Sequence, residues 1–151
     1  MTASDDLLRL ENQLCFAVVT AARNVVAIYR PILEPLGLTH PQYLVMLALW
    51  ERAPRTLTDL ASDLAMEPAT ASPLVKRLES DGLVMRERSP QDERRLEITL
   101  TAAGTALRTR ALDVPHQVMR AVGMDLDEVA LLRDGLSAFA GRRATESPAA
   151  P

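Results

Sequence analysis

Apolar residues near the start of the chain recur every three or four positions. One row contains Leu7, Leu14, Ala21 and Ile28, and a second contains Leu10, Val18, Val25 and Ile32. This spacing is typical of one face of an α-helix and predicts a long amphipathic helix from Leu7 to Ile32. Pro31, Pro35 and Gly37 should end or kink that helix.

Two shorter helices are predicted next, each beginning at a residue suited to a helix start. Pro41 can open a second helix over residues 41–50 because a missing N–H costs little in the first turn. Thr56 and Asp59 resemble a capping box, in which side chains at a helix start bond to backbone N–H groups. They predict a short third helix that follows a tight break at Pro54.

A fourth helix and a β-hairpin follow. The helix is predicted from Ala69 to Ser80, with an irregular start caused by Pro73. Its inward residues would be Leu74, Val75 and Leu78. An extended stretch over 83–88, a polar loop over 89–95 and strict apolar and polar alternation over 96–100 predict the hairpin.

Two further helices are predicted towards the C-terminal end. Thr101 and Asp125 are suited to cap them, and Pro115 and Gly123 interrupt the chain between them. The tail after Gly141 is expected to be frayed.

Composition agrees with one mostly helical domain over residues 1–151. Hydrophobic residues make up 48% of the chain and aromatic residues only 3%, which favours helices over aromatic-rich strands. We find no apolar run of the roughly 18 residues that a membrane span needs and no signal-peptide pattern, so we expect a cytoplasmic protein without membrane contact. The predicted fold class is mostly α with a small β-hairpin wing, and neither metal nor cofactor is predicted.

Two short helices joined by a tight turn and followed by a hairpin with a basic tip form a winged helix-turn-helix. In this arrangement the second helix enters the major groove and the hairpin, called the wing, reaches a neighbouring groove or the backbone. The DNA-binding lobe would span about 41–100. We predict DNA contacts by Thr70, Ser72, Lys76 and Arg77 on the helix and by Arg86, Arg88, Asp92, Arg94 and Arg95 on the wing.

Charge supports this interpretation only locally. The net charge of -3 is not the basic balance that is typical of nucleic-acid binding. Between Lys76 and Arg95 six basic residues stand against five acidic ones, so a merely solvated surface is the alternative. Asp92 is expected to orient the Arg94 guanidinium by a charge-assisted hydrogen bond, and an ordinary turn-forming role is its alternative.

The runs Leu-Glu-Asn-Gln-Leu-Cys-Phe (10–16), Tyr-Arg-Pro (29–31), Pro-Gln-Tyr-Leu (41–44), Lys-Arg-Leu (76–78), Gly-Leu (82–83) and Asp-Glu-Arg (92–94) carry a family resemblance. The last resembles the Asp-x-Arg wing motif of the MarR family, and the run around the cysteine resembles its organic hydroperoxide regulator branch, OhrR, of the one-cysteine type. The resemblance covers most of residues 7–140. It implies homodimers, joined through helices at about 7–36 and 101–140, that bind inverted-repeat operators on double-stranded DNA and repress a gene until a cysteine is oxidised.

Cys15 is the single cysteine of the chain and cannot form an internal disulfide. A lone cysteine in an apolar helix is often only a packing residue. Reactivity requires the thiolate, which cations, hydrogen-bond donors or a helix N-terminus favour, and no basic residue lies one turn from Cys15. The resemblance implies that Cys15 is the redox sensor.

Tyr29 and His40 are the predicted supports of the thiol. Tyr29 lies about 21 Å along the helix axis from Cys15, so the two side chains would meet only if two copies of the helix crossed antiparallel near Ala22. The resemblance implies that tyrosines of the partner subunit donate hydrogen bonds to the sulfur. The chain departs from the branch at Val19 and His40, where tyrosines are common. His40 can substitute as a donor, and a capping or surface role is its alternative.

Oxidation by an organic hydroperoxide would give a sulfenic acid at Cys15, which then bonds a low-molecular-weight thiol or is overoxidised. Added bulk or charge at the helix crossing would shift the dimer and change the spacing of its recognition helices. Three alternatives stay open. The first is release by a reversibly bound apolar or phenolic ligand, with Cys15 structural. The second is a dimerisation module without DNA binding. The third, a thiol peroxidase, is disfavoured because the chain lacks a resolving cysteine and neither His40 nor His116 has a triad-like context. The chain is therefore predicted not to be an enzyme.

Overall fold

The computed structural model describes residues 3–140. The chain divides into a first unit, Met1–Val114, and a second unit, Pro115–Pro151. The elements are α1 (Ala3–Leu7), α2 (Leu14–Leu33), α3 (His40–Glu51), β1 (Arg55–Thr56), α4 (Leu57–Asp63), α5 (Pro68–Ser80), β2 (Val84–Arg88), β3 (Leu96–Leu100), α6 (Ala102–Ala111), α7 (Val114–Val122) and α8 (Leu126–Ala140). The predicted fold class, mostly α with a small hairpin wing, is confirmed, and short 3-10 turns lie at Leu10–Asn12 and Glu34–Leu36.

The prediction that the long first helix begins at Leu7 is wrong, because α2 begins at Leu14. The chain breaks before Leu14, where Gln13 has an extended backbone. The amide of Asn12 donates to the carbonyl of Asp6 at 2.6 Å, and that of Gln13 donates to the carbonyl of Leu7 at 2.6 Å. These bonds fold the upstream segment into a turn of its own, and α2 begins only after it.

The core of the first unit lies between α3, α4, α5 and the sheet. Its fully buried side chains include Leu33, Val45, Met46, Leu49, Leu60, Leu78, Val84 and Ile98. Helix α5 buries Ala71, Val75 and Leu78, whereas the predicted inward residue Leu74 is half-buried. The expected irregular start of α5 is wrong, because Pro68 fits the first helical position and the exposed Pro73 removes only one N–H group.

The hairpin is part of a three-stranded antiparallel sheet with the order β1, β3, β2. Strand β3 pairs with β2 in the register Val84 to Leu100 and with β1 in the register Arg55 to Ile98. The sequence analysis missed β1, since two residues are too few to show an alternating pattern. Its Arg55 is buried, forms an ion pair with Asp63, and donates to the carbonyl of Ala48 at 3.3 Å.

The second unit contains α8 and most of α7. Gly123, with φ 72°, follows the end of α7, as expected for a residue that tolerates the left-handed conformation. The predicted cap of α8 is confirmed: Asp125 and Glu128 each accept a 2.9 Å hydrogen bond from the other's backbone N–H. Large apolar side chains on α8 are exposed, namely Leu126, Leu131, Leu132, Leu136 and Phe139. The predicted frayed tail after Gly141 lies outside the described residues.

Helix α2 also leaves its apolar side uncovered. Of its 20 residues only Leu33 is buried, and its exposed side chains include Leu14, Phe16, Val19, Val25 and Val26. The segment Leu14–Leu36, with a mean hydropathy of 1.3, is long and apolar enough to cross a membrane by length and composition, which the sequence analysis did not expect. Those two properties are shared by membrane spans and by helices that another protein surface covers.

A close backbone contact joins α6 to the sheet and to α3. Trp50 donates its indole N–H to the carbonyl of Gly104 at 2.9 Å, and the Thr101 hydroxyl donates to the carbonyl of Gly82 at 2.6 Å. A side chain at Gly104 would overlap the carbonyl oxygen of Leu83. Glycine is therefore required there for the two backbones to approach.

Substitution Gly104→Ala is expected to lower the free energy of unfolding by about 1 to 3 kcal/mol, because the added methyl group forces α6 away from Leu83. Urea titration followed by the fluorescence of the single tryptophan, Trp50, measures this. Gly135→Ala on α8 is the matched control, since an added Cβ there meets no atom within 4 Å and alanine favours a helix by about 0.5 to 1 kcal/mol. Equal destabilisation by both changes would contradict the close-contact explanation.

Candidate DNA interface and thiol site

Helices α4 and α5 form the helix-turn-helix. The Thr56 hydroxyl accepts a hydrogen bond from the backbone N–H of Asp59 at 3.2 Å, which supplies one half of the predicted capping box. Leu60 and Ala61 are buried where α4 packs on α5. Of the predicted DNA contacts on α5, Thr70, Lys76 and Arg77 are exposed and Ser72 is half-buried. The helix therefore offers these side chains to a ligand outside the chain.

The wing loop is shaped by short hydrogen bonds between its own residues. The backbone N–H of Ser89 donates to the carbonyl of Arg95 at 2.8 Å, and the buried Ser89 hydroxyl bonds to Gln91. The Asp92 carboxylate accepts from the backbone N–H of Arg94 at 3.0 Å, and the Asp92 carbonyl accepts from that of Arg95 at 2.9 Å. This geometry is the turn-forming alternative for Asp92. Across residues 3–140 no hydrogen bond joins the Asp92 carboxylate to the Arg94 guanidinium.

Most of the predicted basic contacts already have a partner within the chain. The pairs are Arg77 with Asp81 at 3.4 Å, Arg86 with Glu79 at 2.9 Å, Arg88 with the carbonyl of Glu93 at 2.8 Å, and Arg95 with Asp59 at 3.9 Å. Within the described part of the chain, the side chains of Lys76 and Arg94 have no such partner. These two are the charges most readily available to phosphate.

Tyr29, His40 and Tyr43 form a ring cluster where α2 meets α3. The ring of Tyr29 lies 5.0 Å from that of His40 and 5.9 Å from that of Tyr43, centroid to centroid. The structure thus brings both predicted thiol supports together and adds Tyr43, which was not among the predicted site residues. Its spacing of three from His40 on one helix was the signal that could have identified it.

Burial keeps this ring cluster uncharged. Desolvation raises the pKa of Tyr29 and lowers the pKa of His40. The pKa of Tyr43 is raised mainly by desolvation and, to a smaller extent, by electrostatic interaction with Tyr29. The phenols therefore keep their protons at neutral pH and can act as hydrogen-bond donors, while His40 is a neutral donor and acceptor.

Cys15 is exposed and occupies the second position of α2. Gln13, which occupies the cap position before α2, makes no side-chain hydrogen bond to the first turn of the helix. Because Gln13 gives its amide to the upstream carbonyls, the N–H groups of this turn have no side-chain cap. Cys15 is not part of the core of the first unit, and a packing role against a second copy of the chain stays the alternative.

A cleft of about 720 Å³ lies beside the ring cluster in the first unit. It is lined by Val26, Arg30, Glu34, Gly37, Leu38, Thr39, His40, Pro41, Gln42, Arg77 and Asp81. The cleft therefore reaches from α2 to the C-terminal turn of α5. A molecule bound in it would contact both the thiol-support cluster and the helix that carries the predicted DNA contacts.

Comparison with known proteins agrees with this geometry. The model of the MarR family matches residues 38–96, which contain α3, α4, α5, β2 and the wing loop. The chain is 40% identical over 114 residues to the organic hydroperoxide resistance transcriptional regulator of Bacillus subtilis (strain 168), covering 76% of this chain and 78% of that protein. It is 43% identical over 156 residues to the HTH-type transcriptional regulator TtmR of Methylorubrum extorquens (strain PA1), covering 99% and 79%.

A solved structure, reduced AbfR bound to DNA, is similar over 92% of this chain and 96% of that chain, with 34% identity and a TM-score of 0.73. AbfR is also known as an overoxidized form bound to DNA and as a disulfide form, with TM-scores of 0.72 and 0.62. Both of these relatives, from Bacillus subtilis and Methylorubrum extorquens, are transcriptional regulators. The chain therefore belongs to the MarR family and is a DNA-binding transcriptional regulator with a winged helix-turn-helix.

Proposed function

We propose that this regulator is a homodimeric repressor that leaves its inverted-repeat operator when an organic hydroperoxide oxidises Cys15. The observation that carries the proposal is the exposure of Cys15 in the uncapped first turn of α2. An exposed sulfur is accessible to a peroxide.

A second copy of the chain would cover the apolar side of α2. That side includes Phe16, Val19 and Val26, whose exposure in one chain is unfavourable in water. An antiparallel crossing near Ala22 would cover it and would bring Cys15 of one copy to the Tyr29 cluster of the other. The apolar residues of α8 are a second surface for the same association. A transcriptional regulator acts where DNA is, in the cytoplasm. We therefore assign the apolar side of α2 to a dimer interface rather than to a membrane span.

The proposed switch has two chemical steps. The Cys15 thiolate attacks a peroxide oxygen, the O–O bond breaks, and the organic alkoxide leaves and takes up a proton to become an alcohol. The resulting sulfenic acid then reacts with a low-molecular-weight thiol to form a mixed disulfide and water. Because the chain has one cysteine, this adduct comes from a small thiol. The DNA-bound overoxidized form of AbfR supports the adduct, rather than overoxidation, as the releasing species here.

A second candidate effector is a small ligand in the 720 Å³ cleft. The cleft is lined by apolar side chains such as Val26 and Leu38, and its two arginines are balanced by Glu34 and Asp81. This lining suits an apolar or phenolic molecule. Release of DNA from the Cys15→Ser protein on addition of such a ligand would favour this candidate over oxidation.

Substitution Cys15→Ser is expected to keep operator affinity and to lose the response to oxidant. With stoichiometric organic hydroperoxide and a small thiol, wild-type affinity should fall by about tenfold or more, since a coupling of this size is typical of regulated binding. Fluorescence anisotropy at fixed salt on DNA from upstream of the gene measures both proteins. Release of both proteins, or of neither, would exclude Cys15 as the switch.

Substitution Lys76→Gln is expected to weaken DNA binding at all sequences, because the Lys76 ammonium has no partner among residues 3–140 and is free for phosphate. The plot of log affinity against log salt concentration should lose about 0.9 of slope per lobe. Arg108→Gln on α6 removes the same charge from an exposed site outside the predicted interface. An equal loss of slope in this control would show that net charge, rather than contact, sets the effect.

The two roles considered for Asp92 make different predictions. If its oxygen holds the turn at Arg94, Asp92→Asn should bind DNA nearly as wild type does, because an amide oxygen can accept the same hydrogen bond. Asp92→Ala should weaken binding several-fold. Anisotropy titrations separate the cases: equal losses in both variants would mean that the negative charge itself is needed, as in the Arg94-orienting role.

A further inference from the structure

Arg86 lies on the side of β2 that faces the recognition helix. Side chains alternate along a strand, so Arg86 shares a face with Val84, which is buried in the core. Its neighbour across the sheet is Ile98, whose side chain is on the same face and is also buried. The strand pattern therefore directs Arg86 towards α5.

Arg86 makes a two-pronged ion pair with Glu79 in the last turn of α5. Its Nε donates to Oε2 of Glu79 at 3.1 Å and its Nη2 donates to Oε1 at 2.9 Å. The hydrogen bonds from Arg86 lower the pKa of the Glu79 carboxyl, so it stays ionised. Parallel bonds of this kind fix direction as well as distance.

The pair spans the corner between the helix and the wing. The chain turns there through Asp81 and Gly82, with Gly82 at φ 77°. Beyond the corner β2 leads directly into the wing loop. The backbone at the corner is held by the Thr101 hydroxyl, which donates to the carbonyl of Gly82, and by the N–H of Leu83, which donates to the carbonyl of Leu78. The Arg86–Glu79 pair adds a side-chain bond between α5 and β2, nearer the wing loop.

We propose that Arg86 is a positioning residue rather than a DNA contact: through Glu79 it holds the wing at the angle at which wing and recognition helix meet DNA together. This inference rests on DNA binding and is independent of the oxidation of Cys15. When the bond is absent, only a fraction of molecules has the wing in place, and the apparent dissociation constant rises by the inverse of that fraction.

Removal of the Glu79 charge tests this inference by the direction in which DNA affinity changes. Glu79 is an acidic residue on the helix that meets DNA, and by charge alone its removal strengthens binding to a polyanion. By positioning, its removal weakens binding. The two explanations thus predict opposite changes in affinity for Glu79→Gln.

The experiment measures operator affinity at several salt concentrations for Glu79→Gln, Arg86→Gln, the double variant and Arg86→Lys. Each single change is expected to weaken binding by about three- to tenfold. The double variant should bind DNA no more weakly than either single variant, because each single change already removes the same interaction. Arg86→Lys should also weaken binding, since lysine keeps the charge but lacks the fork. In these variants the slope of log affinity against log salt concentration should not change. In Arg94→Gln, the matched control, this slope should fall by about 0.9 per lobe.

Tighter binding by Glu79→Gln would overturn the inference. Normal affinity in Arg86→Lys together with a lower salt slope in Arg86→Gln would also overturn it and make Arg86 a phosphate contact. Thermal unfolding of each variant, followed by Trp50 fluorescence, confirms that the fold is retained; the pair is about one third exposed, so its loss leaves the core intact. Wild-type protein that binds no DNA would overturn the proposed function as well, so the two failures are distinguishable.

Discussion

The uncovered apolar side of α2 is the constraint on which the proposed function depends. Helix α2 has 20 residues and buries one side chain, so the first unit does not cover its apolar side. Burial of apolar surface is the main favourable term in association as in folding, and in our proposal a second copy of the chain completes this interior. In our proposal that same contact also completes the thiol site, because the ring cluster of Tyr29, His40 and Tyr43 lies at the far end of α2 from Cys15. Dimerisation, sensing and operator spacing then share one surface.

The DNA-binding surface is organised by bonds within the chain as much as by free charge. Acidic residues balance the basic ones near the helix and wing, and most of the arginines there are held by a carboxylate or a carbonyl. In our proposal the Arg86–Glu79 pair holds the wing relative to α5 before DNA arrives, which lowers the entropy lost on binding. A regulator with a net charge of -3 can therefore bind a polyanion, provided that a few unpaired cations such as Lys76 and Arg94 face it.

Sequence patterns predicted what local chemistry determines. Thr101 and Asp125 cap their helices as expected, since capping involves residues three positions apart. The break before Leu14 was missed, because the apolar period continues through it while the amides of Asn12 and Gln13 bond to carbonyls six residues earlier. The position of Cys15 at a helix start follows from this break. Arg86 was assigned to DNA by its charge, and its pairing with Glu79 depends on a corner that no periodicity reveals.

The most direct test of the account is native mass spectrometry of the operator complex after a limiting amount of organic hydroperoxide in the presence of a small thiol. The spectrum gives the number of chains on each DNA fragment and the mass of Cys15-containing protein in the bound and free fractions. The account predicts two chains per inverted repeat, unmodified in the bound fraction, with the thiol adduct confined to free protein. Adduct-bearing protein that remains on DNA as often as unmodified protein would contradict it.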